Sequence, residues 1–143
     1  MAVSPIVKKI MQDFDGKLRL VIKEVPTESR LASVNAALAA LAAGDQGKYW
    51  EMHELLFNRW PEFDRESLDR NARDLGLDLE QFKQSMDDKK HADALKQNLN
   101  LAEELNVHST PMFFINGKKY DGELTYRELK KIIEEELRSA KSQ

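Results

Sequence analysis

The chain of 143 residues contains no cysteine. That excludes disulfides, thiolate metal sites and cysteine nucleophiles, and with them any thiol exchange by its own side chains. It also lacks an apolar run approaching the roughly 20 residues that span a bilayer. The longest candidate, residues 34–43, is an alanine-rich amphipathic helix, and a soluble chain is expected. Residues 1–5 show no basic stretch leading into an apolar one, so no secretory leader is read there. Neither sign of charge is in marked excess: Lys+Arg 22 against Asp+Glu 25 gives a net charge of -3. Such a balance gives no sustained attraction for a phosphate backbone or an anionic membrane surface. The basic residues come as isolated pairs, Lys8-Lys9, Lys89-Lys90, Lys118-Lys119 and Lys130-Lys131, as expected of solvated helix and hairpin faces. Neither nucleic acid nor membrane is expected as a partner.

What remains is a chain with 41% hydrophobic and 33% charged residues, at the size of one globular domain with a real core. Ile6, Val7, Ile10, Met11 and Phe14 recur at helical spacing, with Ser4-Pro5 as a possible N-cap and first-turn proline. Residues 17–25 read as a strand, with Leu18, Leu20 and Ile22 on one face and Val21 and Val25 on the other, closed by Pro26. Residues 27–105 read as four or five helices punctuated at Gly44, Pro61, Gly76 and Asp87-Asp88. Leu31, Val34, Leu38 and Leu41 form one stripe there, and Trp50, Leu55, Phe57 and Trp60 supply bulk to the next helix. Leu95, Leu99, Ala102 and Leu105 face one side of the last helix of this block. Asp78 with Gln81, and Thr125 with Glu128, have the spacing of capping boxes. Residues 112–115 are an apolar run too short for a helix, and Asn116-Gly117 is a preferred two-residue turn into a partner strand over 118–121. A final helix buries Leu129, Ile132, Ile133 and Leu137. The order helix, strand, helical block, hairpin, helix implies a mixed sheet beneath helical layers.

That order, together with particular words in the sequence, resembles the DsbA-like disulfide oxidoreductases of the thioredoxin fold over nearly the whole chain. Gly16-Lys17-Leu18-Arg19-Leu20-Val21, followed by Pro26, is similar to the family's second thioredoxin-motif strand and the proline after it. The alanine-rich residues 36–43, then Gln46-Gly47-Lys48-Tyr49-Trp50-Glu51-Met52-His53 and Leu55-Leu56-Phe57, resemble the family's inserted helices. Ser109-Thr110-Pro111-Met112-Phe113-Phe114-Ile115-Asn116-Gly117 resembles its cis-proline loop and hairpin. The resemblance implies an α/β, thioredoxin-like fold over residues 1–26 and 106–143, with an inserted helical subdomain over 27–105. It further implies thiol-disulfide exchange with extended or unfolded protein substrates as the family activity, no cofactor, and a periplasmic or extracytoplasmic setting. Thr110 and Pro111 would inherit the position that faces substrate, with Ser109 and His108 beside them, since the family's proline presents the preceding backbone to an added peptide strand.

The family's chemistry sits in a Cys-Pro-x-Cys motif at the start of the first helix, where the helix N-terminus favours the thiolate. This sequence has no such motif, so no catalytic residue is assigned. With Leu18 and Val21 fixed in the strand, Pro5 falls a few residues after the motif, and the chain would begin just downstream of it, lacking the first strand of the thioredoxin motif. A rival register makes Ser4-Pro5-Ile6-Val7 a degenerate form of it. Two other functions stay open: a cysteine-free peptide-binding module near Thr110-Pro111, and a glutathione-using isomerase or transferase that employs Ser4. His53, His91 and His108 have no ligand spacing, so no metal is expected, and His53 reads as a packing residue. Tyr49, Trp50, Phe57, Trp60 and Phe63 read as core of the helical block, with exposure of part of the cluster as a peptide-binding surface left open as the alternative. Asp87-Asp88 and the glutamates of 134–136 read as helix ends and solvated faces.

In the fold that the resemblance implies, the first strand is central, and without it two inner sheet edges are open. Open edges capture other strands, so the chain is expected to self-associate, as a homodimer through those edges. A light-scattering mass above that of one chain at high concentration is the expected result; a mass of one chain contradicts it.

Overall fold

The structure, a computed structural model, describes residues 3–27 and 30–142. It divides into two compact units, one of Met1–Ile22 with Ser109–Gln143 and the other Lys23–His108.

The first unit holds helix α1 (Val3–Asp13), a two-stranded antiparallel sheet of β1 (Phe113–Ile115) and β2 (Lys118–Tyr120), and helix α7 (Tyr126–Lys141). Five further helices lie between α1 and β1 in sequence. Ile10 and Phe14 of the α1 side meet Leu129 and Ile133 of α7, the positions that helical spacing marks as buried. Ile6, Leu18, Ile115, Tyr120 and Ile132 pack around this core. Ser4 and Pro5 both lie inside α1, so Ser4 is not an N-cap; proline is tolerated there because the first helical turn has N–H groups without intrahelical acceptors. Ser4 is exposed.

Residues 17–25, expected as a strand, form no ladder in the described chain. The period of two survives: Leu18, Leu20 and Ile22 are half-buried, while Arg19, Val21 and Lys23 are exposed. Side-chain burial thus fixes the alternation, whereas strand pairing also needs a neighbour to supply backbone partners. The hairpin does pair, with Phe113 opposite Tyr120, Phe114 opposite Lys119 and Ile115 opposite Lys118. Asn116 and Gly117 have φ of 48° and 77°, the left-handed pair that a type I′ turn requires. Asn116 Nδ2 and Lys118 Nζ donate to the Glu136 carboxylate at 3.0 and 2.9 Å, which pins the hairpin to α7 and holds Glu136 below the ordinary carboxylate range.

The second unit contains α2 (Leu31–Gly44), α3 (Tyr49–Asn58), α4 (Arg65–Asp74), α5 (Leu79–Met86) and α6 (Lys89–Glu104). The breaks fall at the punctuation seen in sequence. Its core differs from the leucine stripe expected on α2. Leu31 is 74% exposed, and the buried positions are Ala37, Ala39, Ala40, Ala42 and Ala43. Small side chains let neighbouring helices approach α2 closely, and Met52, Leu56, Leu68, Phe82 and Met86 fill the space around it. The bulky residues of α3 are likewise redistributed. Met52 and Leu56 face inward, while Trp50 and Phe57, on the opposite side of the same helix, are exposed, as is Trp60. Of the expected aromatic core, Phe63 is buried and Tyr49 packs at its margin. On α6, Leu95 and Ala102 are buried and Leu105 is exposed.

Neither capping box closes reciprocally. Asp78 accepts from the Gln81 N–H at 2.8 Å, but its own N–H donates to Gln46 Oε1 at 2.8 Å, and Gln46 Nε2 donates to the Asp78 carbonyl at 3.0 Å. A side chain from the α2–α3 turn thus takes the place expected for Gln81. Thr125 accepts from the Glu128 N–H at 3.2 Å, while its own N–H donates to the Glu123 carbonyl at 2.9 Å. Asp64 and Asp88 cap α4 and α6 in the same one-sided way.

A polar contact ties α6 to the end of α2. His91 is 7% exposed and its Nε2 lies 2.8 Å from Asp45 Oδ2; the nitrogen donates, because an ionised carboxylate only accepts. Lys90 Nζ reaches the same oxygen at 3.1 Å. Partial burial pushes the Asp45 carboxyl upward, and the hydrogen bonds from His91, Lys90 and Ser85 outweigh that, leaving it below its ordinary value of 3.8. A depressed carboxyl stabilises the folded state above its unfolded pKa, and the contribution is lost as pH falls through the folded value. Asp45→Asn is therefore expected to destabilise the protein by about 1–2 kcal/mol near neutrality. Its thermal midpoint should also fall less steeply than that of the parent below about pH 4. Parallel melting-temperature profiles of the two proteins across the acid range would contradict this role.

Candidate peptide-docking site

The loop leading into β1 is set up by the way α6 ends. Asn106 takes φ of 54°, and the Val107 N–H reaches back to the Ala102 carbonyl at 2.8 Å, with the Asn106 N–H on Glu103 at 3.0 Å. This is a left-handed helix stop in which asparagine serves where glycine is commoner. It releases the chain as an irregular stretch, residues 107–112, before β1 begins. His108 closes the helical unit, and Ser109, Thr110 and Pro111 open the other. His108, Ser109 and Thr110 are exposed and Pro111 is half-buried. The Thr110–Pro111 peptide bond is cis, as is Trp60–Pro61 between α3 and α4, which no sequence feature singled out.

Among the described residues, Ser109 and Thr110 make no backbone hydrogen bond to another segment, and no hydrogen bond uses their side chains. Their N–H and C=O groups are left to solvent or to a ligand. Serine and threonine hydroxyls beside free main-chain groups can hold a peptide backbone; they offer no nucleophile activated by a base. His108 adjoins Ser109 in sequence, and no hydrogen bond joins them. His53 is instead half-buried on α3, its ring centroid 4.9 Å from that of Phe57 and 5.8 Å from that of Tyr49. His91 is taken up by Asp45. The histidines therefore occupy separate places, and among the described residues no group of three His, Asp or Glu side chains is arranged to hold a metal ion.

Sequence reasoning missed two features. Tyr49, at the start of α3, donates its hydroxyl to the Glu24 carboxylate. Burial, then the adjacent Glu24 charge, pushes the Tyr49 phenol far above its usual value, which keeps its hydroxyl a donor. The second is Phe114. In a two-residue hairpin the residues flanking the turn form the hydrogen-bonded pair and bonding alternates outward from it. Ile115 and Phe113 therefore bond to β2, whereas the N–H and C=O of Phe114 point to the opposite, open edge. Counting parity back from Asn116-Gly117 would have found it.

A hairpin after a Thr-Pro loop, backed by α1 and α7, with a helical unit inserted in sequence between α1 and the hairpin, fits a thioredoxin-fold protein of the DsbA-like type. The chain belongs to the thioredoxin family, whose model matches residues 2–135. Among solved structures it is similar to the thiol-disulfide exchange protein alpha-DsbA2 of Wolbachia pipientis, with 27% identity and a TM-score of 0.82. That match covers 94% of this chain and 73% of the other. A thioredoxin-like oxidoreductase of Silicibacter pomeroyi is 29% identical with a TM-score of 0.83, over 95% of this chain and 78% of the other. Among curated relatives, a Na(+)/H(+) antiporter NhaA 3 of Salinispora tropica is 35% identical over 119 residues. The match takes in 82% of this chain and 18% of the antiporter, so the chain spans under a fifth of that relative's length.

Proposed function

We propose that the chain is a peptide-docking scaffold of the DsbA-like type, whose family chemistry is thiol-disulfide exchange on protein substrates and whose own residues perform no exchange. The observation that carries this is the free main chain at Ser109 and Thr110, exposed and uncommitted beside Pro111. An extended substrate segment satisfies such groups by pairing with them as an added strand, so recognition rests on backbone and is tolerant of sequence. The similarity to a thiol-disulfide exchange protein supports protein substrates as the ligand class. The lack of cysteine removes the step that follows docking, because exchange begins with attack by a thiolate.

Two measurements test this reading. In an insulin-reduction assay with dithiothreitol the chain is expected to add nothing to the uncatalysed rate. A fluorescent, reduced and carboxymethylated protein is expected to bind, and Thr110→Trp, which fills an exposed loop without entering the core, to weaken that binding about tenfold, or roughly 1.4 kcal/mol. Turnover by this chain, or equal binding by parent and variant with unchanged helix content, contradicts the proposal.

A further inference from the structure

We propose that Asn116 is a site of spontaneous covalent modification: its side chain closes onto the Gly117 nitrogen as a succinimide and reopens as aspartate or isoaspartate, at a rate that Glu136 holds down. The inference is independent of the docking reading, since it concerns the turn of the hairpin and not the loop before β1.

The reaction needs an accessible, uncommitted main-chain nitrogen on the residue after an asparagine, and the turn supplies one. Asn116 and Gly117 are both exposed. The Gly117 N–H donates to no acceptor among the described residues. A methyl group on its α-carbon would meet nothing within 4 Å, so no neighbouring segment shields the nitrogen. The other asparagines lack this combination. Asn35, Asn71, Asn98 and Asn100 lie inside helices, where the following N–H is committed to the carbonyl four residues back. After Asn58 the Arg59 N–H donates to the Leu55 carbonyl at 3.0 Å, and after Asn106 the Val107 N–H donates to the Ala102 carbonyl at 2.8 Å. Each of these is also followed by a residue with a side chain, which crowds the attack.

The step requires only water. The Gly117 nitrogen loses its proton to hydroxide and attacks Asn116 Cγ; the new N–Cγ bond forms as the Cγ–Nδ2 bond breaks, and the amide leaves as ammonia. Water then opens the ring. Cleavage at Cγ gives aspartate, and cleavage at the main-chain carbonyl gives isoaspartate; nothing is oxidised or reduced.

Glu136 acts as the brake. Asn116 Nδ2 donates to its Oε2 at 3.0 Å, while Lys118 Nζ occupies Oε1 at 2.9 Å. That bond restrains the rotation that brings Cγ to the nitrogen, and the carboxylate charge beside it disfavours the anionic tetrahedral intermediate. Once the reaction has occurred, a donor has become a carboxylate facing a carboxylate, so the contact is lost and like-charge repulsion replaces it. Isoaspartate also lengthens the main chain inside a turn built for two residues. Modification therefore unfastens the hairpin from α7.

The test ages the whole chain in mildly alkaline heavy-oxygen water and maps its peptides by mass spectrometry. Asn116 is expected to gain one labelled oxygen ahead of every other asparagine. Glu136→Ala should speed conversion about fivefold, and Glu136→Gln, which keeps an acceptor and loses the charge, should lie between it and the parent. In concentrated urea, where the contact is gone, all three should convert at one rate. Asn116→Asp should hasten hydrogen exchange of the Ile115 amide. Equal rates for folded parent and both Glu136 variants, a rate difference that survives in urea, conversion that favours another asparagine, or unchanged Ile115 exchange in Asn116→Asp would overturn the proposal.

Discussion

The first unit depends on backbone hydrogen-bonding capacity that its own described residues leave unused. An extended segment is normally held by two sets of contacts, side chains on a core and main chain on a neighbouring strand. In residues 18–22 only side-chain burial is made, with Leu18 on the core and Leu20 and Ile22 half-buried, and β1 is laddered on one side only. The unit therefore rests on the packing of α1 against α7, with Ile10, Phe14, Leu129 and Ile133 at the centre and the hairpin fastened to α7 by Glu136. An apolar core of this kind is indifferent to direction, while an open strand edge is highly directional.

The helical unit carries a different constraint. Its central helix is built on alanine, so its stability rests on the closeness of helix approach more than on the size of any one side chain. Larger residues at Ala39, Ala42 or Ala43, each fully buried, would force α2 away from its neighbours, and overpacking a tight core is as harmful as leaving it empty. Polar contacts then fix the geometry around this packing. Gln46 ties the α2–α3 turn to the start of α5, Asp45 receives His91 and Lys90 from α6, and Glu24 receives the Tyr49 hydroxyl.

Much of this was legible in the sequence because local chemistry set it. The Asn116-Gly117 turn, the breaks at Gly44, Pro61, Gly76 and Asp87-Asp88, and the buried side of α7 all follow from residue type and spacing. The rest depended on neighbours. Leucine spacing on α2 suggested a stripe, but a helix surrounded by other helices buries whichever residues allow close approach, and those are alanines. The size of Trp50 and Phe57 favours the interior and leaves an exposed cluster as the alternative; the structure has them exposed, because Met52 and Leu56 occupy the opposite face of the same helix and take the core. The capping boxes were half right, since the carboxylate and hydroxyl do accept from the helix, while the return bonds went to Gln46 and Glu123. The strand at 17–25 shows the limit most clearly: its alternation was real and its ladder was not, because pairing is a property of two segments. In the loop before β1, resemblance marks Ser109, Thr110 and Pro111 in the sequence, and the structure adds that Ser109 and Thr110 make no backbone hydrogen bond to another described segment.

Hydrogen exchange at single-residue resolution, on the unliganded protein diluted until its mass is that of one chain, bears most directly on the claim of an open edge. The Phe113 and Ile115 amides should exchange slowly because β2 holds them, and the Phe114 amide between them should exchange many times faster. Protection of Phe114 equal to that of its two neighbours would mean that the edge is already closed, and the account would be wrong.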